Sequence, residues 1–148
     1  MNDLAVIEIL LVEDNPDDAE MTMRALRRRN LANGIEWVKD GSEAIDYMFC
    51  RGDYATRTNG NPRIILLDLK MPKMDGIDVL RALKADAKTR AVPVVMLTSS
   101  NEEDDIVRSY DLGVNSYIVK PVDFEKFVDE VSKLGIYWLA LNRAPGAP

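Results

Sequence analysis

The sequence predicts an α/β fold in which a doubly wound, five-stranded parallel sheet is covered by helices on both faces. Three observations predict it. Apolar, strand-like runs stand ahead of helical patterns at Val6–Val12, Ile35–Val38, Ile64–Leu67, Val92–Leu97 and Ser116–Val119, and repeated β-then-α units build parallel sheets. The runs also differ in character. Ile9–Val12, Ile64–Leu67 and Val94–Leu97 are unbroken and suit strands buried on both faces, whereas IEWVK and NSYIVK mix in polar residues, as edge strands do. With the first, third and fourth strands inside, right-handed crossovers make 2-1-3-4-5 the economical order, and its switch point lies where Val12 and Leu67 end side by side.

The helices are marked by their starts. Asn15-Pro16 reads as an N-cap with proline at the first helical position, with Asp17 and Asp18 well placed against the helix dipole and Ala19, Met23 and Leu26 on the core face. Asp40 with Glu43 resembles a capping box ahead of Ala44, Ile45, Met48 and Phe49, which fall on one helical side. Cys50 continues that apolar side and is expected to be a buried thiol. The Gly-, Asn- and Thr-rich loop between Phe49 and Ile64 is longer than usual and should lie at the amino end of the sheet, away from the chemistry.

The third run delivers one carboxylate, Asp68, to its end. Met71-Pro72 then forces an extended or turn geometry, and Asp75-Gly76 closes the turn ahead of the helical spacing Ile77, Leu80, Leu83. Ligands of open α/β sheets bind beyond the carboxyl ends of the strands, so Asp68 is either presented to a ligand or is a turn residue. Further on, Ser100 with Glu103 opens a helix that Gly113 ends as a left-handed cap. Asp123 caps the last helix, with its stripe Phe124, Phe127, Val128, Val131, Leu134.

The bulk properties exclude several classes of function. With 148 residues, 47% of them hydrophobic, the chain suits one domain with a single core. A net charge of −6 and a pI near 4.7 argue against a nucleic-acid surface, and Arg27-Arg28-Arg29 reads as a solvated helix end. No apolar run approaches a membrane span and no signal pattern opens the chain, so a soluble, cytoplasmic protein is expected. The single cysteine allows no internal disulfide. The lack of histidine removes Ser-His-Asp chemistry, His-containing zinc sites and a histidine base.

In the expected strand order four strand ends converge on one crevice. They bring Glu13 and Asp14, Asp68, Thr98 and Lys120. Crowded carboxylates repel unless a cation sits among them, and oxygen-only ligation favours magnesium or a similar hard ion. A hydroxyl and an ammonium are the groups that hold phosphoryl oxygens.

Those residues stand in the motifs LLVEDN, LLDLKMPKMDG, MLTSS and YIVKP, which resemble, in order and position, the response-regulator receiver domains of two-component signalling. The resemblance covers about residues 5–134 and implies a flavodoxin-like fold, with 1–148 as one receiver domain and about 135–148 as a helical extension and tail. It implies that Asp68 accepts a phosphoryl group from a phosphohistidine on a partner sensor histidine kinase or phosphotransfer protein. Asp14, Asp68 and the backbone carbonyl of Lys70 would bind Mg2+ directly and Glu13 largely through water, while Thr98 and Lys120 contact the phosphoryl oxygens. Thr98 and Tyr117 would form the switch, unless Tyr117 is an ordinary edge-strand residue. The Lys120-Pro121 bond is expected to be cis. The long loop and the tail LGIYWLALNRAPG also look like the small receivers of phytochrome-type kinases. No output domain follows residue 134, so the output is expected to be a protein contact.

Two other functional readings stand beside this one. A magnesium-dependent phosphohydrolase would want a second acid-base group beside Asp68, where Leu69 and Lys70 follow instead; a phosphorylation-independent scaffold would have no need of the complete acidic set with Thr98 and Lys120. For assembly, a helix continuing to Asn142 would run about 28 Å and outrun its sheet. Tyr137, Trp138 and Leu141 would then form a homodimer face, unless Gly135 breaks the helix and the tail folds back.

Overall fold

A computed structural model describes residues 9–27, 34–99 and 111–134. Within them the chain runs β1 (Ile9–Val12), α1 (Pro16–Arg27), β2 (Ile35–Val38), α2 (Gly41–Met48), a short 3-10 turn (Gly52–Tyr54), β3 (Ile64–Asp68), α3 (Gly76–Lys84), β4 (Val94–Thr98), β5 (Ser116–Val119) and a last helix, α4 (Phe124–Lys133). The strands pair in parallel in the order β2-β1-β3-β4-β5, as the character of the runs predicts. Val12 and Leu67 are register partners at the switch point. The three central strands are buried at every position, while β2 and β5 are partly open.

Because side chains alternate across a strand, each central strand feeds two apolar layers. Leu10, Val12, Ile65, Leu67, Val94 and Met96 pack with Ala44, Tyr47 and Met48 of α2 and Val79, Leu80 and Leu83 of α3. Ile9, Leu11, Ile64, Leu66, Val95 and Leu97 pack with Ala19 and Leu26 of α1 and Phe127 and Val131 of α4.

The helix starts follow the predicted chemistry with one change. Asn15 Oδ1 accepts the N–H groups of Asp17 and Asp18, and Asp123 accepts that of Lys126; Asp75, which reads in the sequence only as a turn residue, also forms a reciprocal capping box with Asp78. At α2 the reciprocity is shifted. Asp40 accepts from the Glu43 N–H, but Glu43 reaches past Asp40 to the N–H of Lys39, its other oxygen being held by the Tyr54 hydroxyl at 2.6 Å.

The Cys50 expectation is corrected. The helix stops at Met48, Cys50 turns into the left-handed region with φ 55°, and its side chain is exposed. Tyr47 takes the buried place instead, with Ile45 and Phe49 at the margin of the same layer. On α1, Thr22 is buried and Met23 sits at the margin. The loop after α2 folds back along that helix: Arg57 stacks over the Tyr47 ring at 4.0 Å and donates to the Tyr47 carbonyl, and Asn61 ties the loop to the Lys88 carbonyl beyond α3. Gly113 has the left-handed φ expected of a cap, 89°. Val6 to Glu8, the helix start at Ser100 and Glu103, and Tyr137, Trp138 and Leu141 lie outside the described residues.

Two glycines let the loops close against the sheet edge. A Cβ on Gly76 would collide with the carbonyl oxygen of Asp68 and meet the Leu69 Cα at 2.9 Å, while one on Gly41 would meet the Met74 carbonyl oxygen at 2.5 Å. The first residue of α3 therefore lies directly on the backbone of Asp68, and the Gly76 N–H donates to the Leu69 carbonyl at 2.8 Å. Gly76→Ala is expected to lower stability by about 1–3 kcal/mol, because backbone and not a flexible side chain must give way. Urea unfolding of the two proteins measures it, with an unchanged midpoint counting against the contact.

Candidate functional site

The site is assembled by strands that run out of sheet at the same edge. Leu69 N–H still donates to the Leu97 carbonyl, Lys120 N–H to the Thr98 carbonyl and Glu13 N–H to the Val38 carbonyl, so ladder geometry continues one residue past three strands. That extension carries Glu13 and Lys120 to fixed places and holds the chain just past Asp68, the last residue of β3. The Trp37 indole on β2 adds a hydrogen bond to the Glu13 carbonyl at 2.8 Å, so both backbone groups of Glu13 are held by the neighbouring strand.

Glu13, Asp14 and Asp68 each place a carboxylate oxygen within 4.8 Å of the others, with Glu13 fully buried and Asp68 4% exposed. Lys120 is the cation among them. Its Nζ lies 2.9 Å from Glu13, 3.0 Å from Asp18 and 3.5 Å from Asp68. The other Glu13 oxygen accepts the Asn15 N–H at 3.2 Å. Burial, and then the charge and hydrogen bonding of Glu13, push the Asp68 carboxyl up to about 8, against the opposing pull of Lys120. Burial works against the charge on Lys120, yet its hydrogen bonds to Glu13 and Asp18 and the nearby Asp68 hold it above the ordinary lysine range.

Thr98 ends β4, the strand next to Asp68, and is 4% exposed with no hydrogen-bond partner for its hydroxyl among the described residues. A buried hydroxyl left without a partner costs about 1–3 kcal/mol, a cost an acceptor oxygen placed at this edge would remove. Tyr117 is half-buried against the apolar layer shared with α2 and α3, and the Lys120-Pro121 bond is cis, as expected. Lys70 follows Leu69 at the start of the β3–α3 loop and is exposed.

Glu13, Asp14, Asp68 and Lys120 are thus brought together, with Thr98 at the same sheet edge. Asp18 and Trp37 are additions that sequence reasoning missed. Asp18 read only as a helix-dipole acid, and no pattern in the sequence marks Trp37 as touching the acidic pair. The donor set fits a hard divalent cation: oxygens only, more carboxyl groups than Lys120 alone can offset, and an Asp68 carboxyl pushed up by burial and by the neighbouring Glu13.

Residues 9–132 match the family model described as "Response regulator receiver domain". The chain is 44% identical over 138 residues to a protein named "Probable methanogenesis regulatory protein FilR2" of Methanothrix harundinacea (strain 6Ac), covering 93% of this chain and 87% of that protein. Among solved structures, the bacteriophytochrome response regulator AtBRR is 51% identical with a TM-score of 0.84, covering 93% of this chain and 99% of that one. The Mn(2+)-bound form of response regulator Rcp1 is 33% identical with a TM-score of 0.74, covering 95% and 99%.

The retained proton on Asp68 gives a pH dependence of defined sign. Between the ordinary value of 3.8 and the folded value of about 8, the folded state holds a proton that the unfolded chain has released. Stability of the metal-free protein therefore falls as pH rises through that window. Thermal unfolding in chelator should show a lower midpoint at about pH 8 than at about pH 5, a difference that Asp68→Asn flattens and saturating Mg2+ offsets. A parent profile no steeper than that of Asp68→Asn would contradict this account.

Proposed function

The chain belongs to the response regulator receiver family, and from that premise we propose that Asp68 is its phosphoacceptor, taking a phosphoryl group from a phosphohistidine on a partner histidine kinase or phosphotransfer protein. One observation carries this reading: buried Asp68 meets two further carboxylates and the Lys120 ammonium at a single sheet edge. In the transfer an Asp68 carboxylate oxygen forms the new bond to phosphorus. The P–N bond of the phosphohistidine breaks, and its electron pair stays on the donor imidazole. The given sequence has no histidine, so the imidazole is not one of its residues.

Catalysis of such a transfer is positioning and charge neutralisation. Asp14, Asp68 and the Lys70 carbonyl would hold Mg2+, which when bound neutralises phosphoryl oxygens and the repulsion among the carboxylates. Glu13 would act at one remove, since one of its oxygens is engaged by Lys120 and the other by the Asn15 N–H. Lys120 donates to the phosphoryl group, and the unpartnered Thr98 hydroxyl supplies another donor as it shifts toward the new oxygens. Tyr117, already half inside, would follow that shift and alter the outer face of β5. The chain's role is that of a phosphoacceptor with at most weak self-dephosphorylation.

The similarity to AtBRR, with the long loop after α2, supports a phytochrome-type light-sensing kinase as the phosphodonor. The helical spacing of Tyr137, Trp138 and Leu141 supports a homodimer through the last helix.

Acetyl phosphate with Mg2+ should add one phosphoryl group to the parent, read by intact mass, and none to Asp68→Asn. Labelling of that variant at the parental rate would remove the assignment. Sedimentation at micromolar concentration should show a parental dimer that Trp138→Ala with Leu141→Ala dissociates. A parent that is monomeric both with and without phosphorylation would end the dimer proposal.

A further inference from the structure

Lys120 is held by a closed ring of hydrogen bonds. Its Nζ donates to Glu13 Oε1 and to Asp18 Oδ2; the Asn15 N–H donates to Glu13 Oε2, and Asn15 Oδ1 accepts the Asp18 N–H at 3.1 Å. The N-cap of α1 thereby fixes the helical turn that aims Asp18 at the lysine. Two donors of the ammonium are thus engaged by carboxylates, and Asp68 stands at 3.5 Å as a third ion-pair neighbour. The phosphoryl group formed on Asp68 needs the same donors.

We infer that Asp18 is a positioning residue which holds Lys120 in a resting place and so sets how readily the site takes a phosphoryl group. This inference rests on Asp68 being the phosphoacceptor. Of the three carboxylates Asp18 is the most open, with 37% of its side chain exposed against 0% for Glu13 and 6% for Asp68. It is the arm that water can replace when Lys120 turns to phosphoryl oxygens. Its charge, at the mouth of a site already crowded with carboxylates, also opposes the approach of an anionic donor. Both effects have the same sign: Asp18 slows phosphorylation.

The experiment measures phosphorylation by acetyl phosphate at saturating Mg2+ in the parent, Asp18→Asn, Asp18→Glu and Asp17→Asn. Asp18→Asn keeps the shape and loses the charge. It should speed labelling about two- to five-fold, the range of a partly exposed ion pair, chiefly through a lower half-saturating donor concentration. Asp18→Glu, with the charge restored on a longer arm, should return toward the parent. Asp17→Asn removes the same charge from the same exposed turn, where no ion pair with Lys120 exists, and should match the parent. A purely structural role in α1 would change the unfolding temperature and leave the kinetics alone. The inference is overturned if Asp18→Asn labels at the parental rate, or if Asp17→Asn accelerates labelling equally. A parent that is labelled while Asp18→Asn behaves like it sinks this inference alone, whereas a parent that takes no phosphoryl group at Asp68 sinks the phosphoacceptor reading with it.

Discussion

A carboxyl group at the end of a strand buried on both faces has little water to stabilise its charge, and at this sheet edge it also stands beside two others. The rest of the site answers that constraint. Among the described residues Lys120 supplies the ammonium that meets Glu13, Asp18 and Asp68, and Asp68 still retains its proton well above the ordinary range. A site in that condition is short of positive charge. Its oxygen-only donors are suited to a divalent cation.

Holding such a cluster requires backbone that does not yield. The ladder bonds beyond the strand ends do part of this, and the glycines do the rest. Gly76 lets α3 begin directly on the Asp68 carbonyl, and Gly41 lets α2 begin on the Met74 carbonyl, so the loop after β3 is clamped between two helix starts. Asp68 is thus fixed from below by its strand and from the side by a helix. Glu13 is held in the same way, by the Val38 carbonyl and the Trp37 indole of the edge strand. A shift of β2 would reach the acidic pair through those two bonds.

The loop after α2 obeys a different logic. Its anchors are Tyr54 on Glu43, Arg57 on Tyr47 and Asn61 on the carbonyl beyond α3. Arg57 draws its charge close to an aromatic face and donates from Nη1 to Asn59 and the Gly60 carbonyl, which gives a segment without its own core a defined path.

Much of this was legible in the sequence. Strand order followed from which apolar runs were unbroken, because only strands covered on both faces can dispense with polar residues; caps followed from Asn15, Asp40 and Asp123, because a helix start leaves N–H groups that short polar side chains satisfy. The convergence of Glu13, Asp14, Asp68 and Lys120 followed from that order. Tertiary structure decided what depends on distances between elements. Cys50 continues a helical stripe and so is expected to be buried, but the helix ends at Met48 and a left-handed turn carries the thiol outward. Glu43 divides its oxygens between Lys39 and Tyr54, a choice that only the folded loop offers. Asp18 and Trp37 enter the site by direction: periodicity tells which face a residue occupies, whereas a hydrogen bond to Lys120 or to the Glu13 carbonyl depends on where another strand or helix brings its partner.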